Sequence, residues 1–160
     1  MAKKKDEKTN VMRLLEQAKI PYTPHLYTTT DAISGMEVVE VLNQNPHKVF
    51  KTLVTIGKSK EHYIFVIPVN LELNLKRAAE AAKEKSIEMI KSKELLPLTG
   101  YIHGGCSPIG MKKQFKTFFH ETAQYFETIL FSAGKIGYQV EVNPDDIKNY
   151  IHFEYANLTE

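Results

Sequence analysis

Two hydrophobic periods alternate along this chain. In NVMRLLEQAK, residues 10 to 19, Val11, Leu14, Leu15 and Ala18 recur at the spacing of one helical face, with Thr9 or Asn10 placed to cap the start and Pro21 closing the segment. SGMEVVEVLNQN opens on the Ser34-to-Glu37 spacing of a capping box and predicts a second helix ending before Pro46. The period then falls to two. KVFKTLVTI and EHYIFVIPV are rich in β-branched and aromatic residues and flank GKSK, which predicts a pair of antiparallel strands. Asn74 can cap a short helix through Lys83, and SKELLPL predicts one more helical turn before Pro97 and Gly100. KTFFH, TILFSA and YQVEV predict three further strands, with AGKIG turning between the last two. NPDDIKNYI predicts a closing helix, capped by Asn143 and with Pro144 at its first position.

Strands that come in hairpins, with helices between them, imply an α+β domain on a mixed, largely antiparallel sheet. With 160 residues, 42% hydrophobic and 25% charged, the chain can bury one core and is too short for two ordinary ones. The expected division is a charged, flexible N-terminus over residues 1–8 and a single compact domain over 9–160. MAKKKDEK leads into no apolar signal region, and no stretch approaches the ~18 apolar residues of a membrane span. These features predict a soluble, cytoplasmic protein with no membrane or DNA partner. The lone Cys106 excludes an intramolecular disulfide framework and any multi-cysteine metal site, and fits a reducing compartment.

The net charge is only +2, so its distribution says more than its sum. No acidic residue occurs from Val41 to Lys60, where Lys48, Lys51, Lys58 and Lys60 lie, nor from Leu95 to His120, where Lys112, Lys113 and Lys116 lie. If these two segments meet, they make a positive face suited to phosphate; otherwise they are two solvated lysine faces.

Several motifs with a known chemistry are approached and missed. GCSPIGMK has the glycine separation of a phosphate-binding loop, but Met111 stands where the lysine must be and no Ser or Thr follows it. Two residues instead of one separate Ser107 from the next glycine, so GCSPIG is not a nucleophile elbow. HETAQ is half of a zinc-binding H-E-x-x-H, with Gln124 in place of the second imidazole. What remains is a loop, YIHGGCSPIGMKK, in which Gly104, Gly105 and Gly110 allow unusual backbone conformations and Pro108 stiffens the chain. Such a loop can aim successive N–H groups at an anion or a polarised carbonyl oxygen, or can simply be a tight turn. Lys51 is the second candidate. Alternation sets it with Val49 and Leu53, among apolar neighbours, either protecting a sheet edge or pointing its ammonium into a pocket.

KVFKTLV, GYIHGGCSPIGMKK and LFSAGKIGYQVEV resemble, in order and spacing, three signature segments of the YbaK family, free-standing relatives of the editing domain inserted in bacterial prolyl-tRNA synthetases. The resemblance runs from about Val11 to about Leu158. It implies a compact domain with a barrel-like mixed sheet and flanking helices, and deacylation of Cys-tRNA(Pro); related branches clear Ala-tRNA(Pro) or other mischarged tRNAs. Lys51 matches the family's essential lysine, which the resemblance implies orients the terminal adenosine and phosphate of the acceptor end. Tyr27, in PHLYT, matches a pocket tyrosine. Gly104 and Gly105 match a loop whose amides face the ester carbonyl, and Ser132 matches a small polar residue of the aminoacyl pocket. Gln139 falls at a pocket-side position that is Asp or Ser in relatives. Cys106 and Ser107 are expected beside the bound substrate, and Lys48, Lys112 and Lys113 against the tRNA.

In such enzymes the thiol of the bound cysteinyl group attacks its own ester carbonyl and leaves as a thiolactone. The protein then needs no nucleophile, no metal and no cofactor, only donors that hold the ester and its oxyanion. Two other readings stay open: Cys106 as a nucleophile, its pKa lowered by Lys112 or a local amide cluster, and a non-catalytic binder of the tRNA acceptor end. A domain this small and nearly neutral is expected to borrow tRNA selectivity from prolyl-tRNA synthetase.

Overall fold

A computed structural model of the chain describes residues 8–159. Most of the N-terminal segment expected to be flexible, residues 1–7, lies outside the described residues, as does residue 160. Helix α1 (Asn10–Gln17) starts where the Thr9 hydroxyl accepts the Met12 N–H, and it buries Val11, Met12 and Leu15. Strand β1 (Thr23–Leu26) follows. Helix α2 (Gly35–Leu42) has the expected box: the Ser34 hydroxyl accepts the Glu37 N–H, and the Glu37 carboxylate accepts the Ser34 N–H. Asn43, in the left-handed region, ends it well short of Pro46.

Strands β2 (Phe50–Gly57) and β3 (His62–Pro68) pair antiparallel, with Lys51 opposite Ile67. After helix α3 (Leu75–Ala82), capped by Asn74, come the short strand β4 (Ile87–Met89) and helix α4 (Ser92–Thr99). Pro97 does not end α4 as its position predicts. The bond it cannot make falls on exposed Lys93 in the first turn, while the Thr99 hydroxyl and the Gly100 N–H close the last turn on Leu95 and Leu96. Strands β5 (Lys116–His120), β6 (Ile129–Ser132) and β7 (Tyr138–Val142), helix α5 (Pro144–Ile151) and strand β8 (Glu154–Ala156) complete the chain.

The strands form two sheets, ordered β4-β2-β3-β5-β8 and β1-β7-β6. Pairing is antiparallel except where β5 joins β3 and β8, so the sheet character is mixed and largely antiparallel as expected. The barrel does not close. The two sheets face each other across Phe50, Val54, Phe119, Phe131 and Val140, and an isolated parallel bridge, Val49 to Leu130, links them. Helices α1 and α5 seal this main core. β3 is buried on both sides: Ile64 and Val66 face the main core, while Tyr63, Phe65 and Ile67 face Ala78 and Ala79 of α3.

The sheet geometry opens a space at one place. β4 pairs with β2 only over Thr55–Gly57, so the first half of β2 carries no strand on its outer edge. The residues around Lys51 therefore border a gap that α2, α4 and the glycine loop surround.

Candidate active site

A cavity of about 380 Å³ lies against that unpaired edge. Because it meets β2 edge-on, residues from both faces of the strand line it, Lys51 and Leu53 as well as Phe50 and Thr52. Its other walls come from distant segments: Tyr27 just after β1, the first turn of α2 from Ser34 to Met36, Leu95 of α4, the loop residues His103, Gly104 and Cys106, and Ser132 and Gln139, which face each other across the β6–β7 hairpin. Gly35 is required by packing. A Cβ there would stand 2.4 Å from Val69 Cγ1, so only glycine lets α2 approach the end of β3 and close the cavity.

Lys51 is half-buried, and burial lowers its pKa below the ordinary lysine value while the charge of Glu72 acts in the opposite direction. Tyr27 is buried, its N–H donating to Gly137 at 2.8 Å, and burial raises its phenol pKa. The Gln139 side chain is locked into a reciprocal amide pair with Gln44: the Gln44 amide donates to Gln139 Oε1 at 2.8 Å, and the Gln139 amide donates to Gln44 Oε1 at 3.3 Å. The Ser132 hydroxyl accepts the Gly134 N–H at 3.0 Å.

The glycine loop is braced from within. The Tyr101 hydroxyl donates to the Ile109 carbonyl, the Ile109 N–H to the Ser107 hydroxyl at 3.3 Å, and the Gly105 N–H to the Ile102 carbonyl at 2.9 Å. Gly105 and Ser107 are thus committed to the loop and buried, and neither lines the cavity. Gly104 does line it, at φ +89°, a conformation that favours glycine. The N–H groups of Gly104 and Cys106 have no acceptor among the described residues. Cys106 also lines the cavity, but burial pushes its thiol up to about 12, far from a thiolate at neutral pH.

The two acid-free segments meet at this cavity without making a continuous lysine face. Lys48 lies outside it, its Nζ held at 3.2 Å by both Glu141 and Thr128. Lys112 reaches the Pro97 carbonyl at 3.3 Å, and Lys113 stands 5.7 Å over the Phe115 ring; both are exposed and away from the lining. Lys116 sits opposite Tyr63, four positions along β3 from the partner of Lys51, or roughly 13 Å of strand. Thr52, Ser34, His103 and Gln44 escaped the sequence reading. Thr52 carries a buried hydroxyl without a hydrogen-bond partner beside Lys51, and only the cavity's edge-on placement brings it there.

Residues 30–150 match the family model described as the aminoacyl-tRNA editing domain. A protein of Enterococcus faecalis named EbsC, a candidate Cys-tRNA(Pro)/Cys-tRNA(Cys) deacylase, is 46% identical over 161 residues, covering 99% of this chain and 98% of that one. Among solved structures, a hypothetical protein superposes with a TM-score of 0.87 at 18% identity, over 95% of this chain and all (100%) of the other. A candidate trans-editing enzyme for prolyl-tRNA synthetase superposes with a TM-score of 0.80 at 18% identity, over 96% and 99%. At those identities the superpositions speak for the fold.

Proposed function

This chain belongs to the aminoacyl-tRNA editing domain family, and from that premise we propose that it is a trans-editing deacylase that cleaves the aminoacyl ester of Cys-tRNA(Pro). The observation that carries the mechanism is a cavity lined by a half-buried lysine and by Gly104 and Cys106, whose N–H groups have no acceptor among the described residues, while burial disfavours the thiolate of its one cysteine. Such a site is equipped to bind and polarise an ester, and poorly equipped to attack one.

The substrate supplies the nucleophile. Its thiol sulfur bonds to its own carbonyl carbon, the bond from that carbon to the ribose oxygen breaks, the ribose oxygen takes up the thiol proton, and cysteine leaves as a thiolactone. The protein's part is to hold the bent conformer and stabilise the oxyanion. Bringing sulfur and carbonyl into line is worth several kcal/mol, on the order of 7–11 at the limit for well-oriented intramolecular reactions. The oxyanion donors in this reading are the N–H groups of Gly104 and Cys106, supported by both residues lining the cavity and by neither N–H having an acceptor among the described residues. Removing one such donor from a preorganised site typically costs about 10²–10³ in rate. Lys51 holds the terminal phosphate and ribose at the cavity edge. Tyr27, Ser132 and Gln139 border the aminoacyl end. Of the lysines expected on the tRNA, Lys112 and Lys113 remain exposed for phosphate, whereas Lys48 is neutralised by Glu141. Prolyl-tRNA synthetase is the partner that would confer tRNA selectivity, consistent with the name of the structural neighbour.

Substitution separates this reading from a cysteine nucleophile. Lys51→Ala is expected to abolish deacylation of Cys-tRNA(Pro), and Cys106→Ala to retain most of it. The reverse pattern would overturn the mechanism.

A further inference from the structure

Charge around the cavity bears on a part of the substrate that the cleavage chemistry leaves unused. Every aminoacyl ester carries an α-amino group, which is an ammonium at low pH. Among the described residues, no aspartate or glutamate lines the cavity. Its charged and titratable lining groups are Lys51, His103, Tyr27 and Cys106. The polar wall at Gln139 is neutral: its amide is paired in both directions with that of Gln44 and brings no negative charge to the cavity. The first turn of α2 adds the positive end of a helix.

Three carboxylates stand near without facing inward. Glu37 is bound by the N–H groups of Ile33 and Ser34, both at 3.0 Å. Glu141 is held by Thr128, His25 and Lys48. Glu72 is exposed and acts on Lys51. The formal charge on the cavity wall is thus the positive one of Lys51, with no carboxylate of the described residues lining it to balance an ammonium.

Resting on the function proposed above, we infer that the site takes its aminoacyl ester with the α-amino group uncharged, so that N-acylated cysteinyl esters are substrates of the same site. Acylation removes the charge without touching the reacting atoms. Sulfur still bonds to the carbonyl carbon, the ester carbon–oxygen bond still breaks, the ribose oxygen still receives the thiol proton, and the product becomes the N-acyl thiolactone.

The test compares Cys-tRNA(Pro) with N-acetyl-Cys-tRNA(Pro) in single turnover at pH 6.0 and 8.5, reading the half-saturating enzyme concentration, which separates binding from thiol ionisation. With an α-amine pKa of roughly 7 to 8, requiring the neutral amine should weaken binding of the free ester at pH 6 by about 10- to 100-fold relative to the acetylated one. The two should converge at pH 8.5. Cleavage of the free ester together with failure to cleave the acetylated one, or equal binding of both at pH 6, would overturn the inference and leave the deacylase intact. If neither ester is cleaved at either pH, the inference falls together with the function on which it rests.

Discussion

Replacing Gly104 by alanine strains the loop at the position where it meets the cavity. The residue sits at φ +89°, and a Cβ there would stand 2.6 Å from Ile33 Cγ2 and 3.4 Å from both Ile136 Cγ1 and the Ile33 carbonyl oxygen. A non-glycine residue in this region costs about 1–2 kcal/mol. Overpacking of this kind adds typically another 1–3 kcal/mol. The sum, about 2–5 kcal/mol, corresponds to a Tm lowered by roughly 4–20 °C at about 2–4 °C per kcal/mol for a chain of this size. The Ile33 side chain is exposed and can turn aside, but the positive φ remains, and a shift of the loop that relieves it would carry the Gly104 and Cys106 N–H groups away from their proposed position against the bound ester. A displacement near 1 Å is worth about 10²-fold in rate. The assay is thermal unfolding followed by single-turnover deacylation at least 15 °C below the variant's Tm, a margin of about 4 kcal/mol or more on the same scale. Gly105→Ala is the control. Its Cβ would meet Ile136 N at 3.2 Å and Lys135 Cα at 3.3 Å, at an ordinary φ, and its own N–H stays with Ile102. It is expected to lose stability with a smaller loss of rate. A folded Gly104→Ala protein that deacylates at the wild-type rate would refute the role given to the loop.

Other consequences follow from single groups. His120 is buried and accepts the Leu158 N–H through Nδ1 at 3.0 Å; burial lowers its pKa, so the unfolded chain takes up the proton first and stability falls as pH drops from about 6.5 through the lower folded value. His120→Asn, which keeps an acceptor near Nδ1, should lose that acid sensitivity in Tm-versus-pH curves; an unchanged curve would assign it elsewhere. Burial alone would raise the Glu141 pKa, but hydrogen bonds from Thr128, His25 and Lys48 bring it down to about 2 from an ordinary 4.5. At about 1.4 kcal/mol per unit the shift would amount to roughly 3 kcal/mol, and solvent screening of this partly exposed cluster reduces its contribution at neutral pH to about 1–2 kcal/mol, lost between pH 4.5 and 2, so the stability gap between wild type and Glu141→Gln in urea should close over that range. Gln44→Ala releases the Gln139 amide and should lower kcat/KM for Cys-tRNA(Pro) several-fold without unfolding the protein; unchanged kinetics would show that the pair does not shape the cavity. At pH 7.5 Cys106 should react with iodoacetamide far more slowly than a free thiol, and equal rates would contradict its protonated, buried state.

The long strands and the capped helices were legible because local signals and burial agree there. The alternation of β2 and β3 and the Ser34–Glu37 box each reappear in place. Strand β1 was not legible. It contains Pro24, is largely exposed, and exists through its pairing with β7, more than a hundred positions away. The three-residue strands β4 and β8 carry too few positions to show a period. Of the candidate site residues, Lys51, Gly104, Cys106, Tyr27, Ser132 and Gln139 meet at one cavity. Gly105, Ser107 and Lys48 do not line it, because their bonding partners Ile102, Ile109 and Glu141 are set by loop geometry and sheet contacts that sequence spacing does not carry. Thr52 and Gln44 were invisible for a related reason. Alternation assigns residues to faces, and this cavity lies along an edge.

The most direct measurement is the single-turnover deacylation rate of Cys-tRNA(Pro) beside that of Ala-tRNA(Pro) with the unmodified protein. The two esters differ at the side chain by the sulfur that serves as the nucleophile. Rapid loss of the cysteinyl ester with the alanyl ester left near its spontaneous rate is the predicted result; alanyl ester cleaved as fast as cysteinyl would contradict the account and place the nucleophile in water or in the protein.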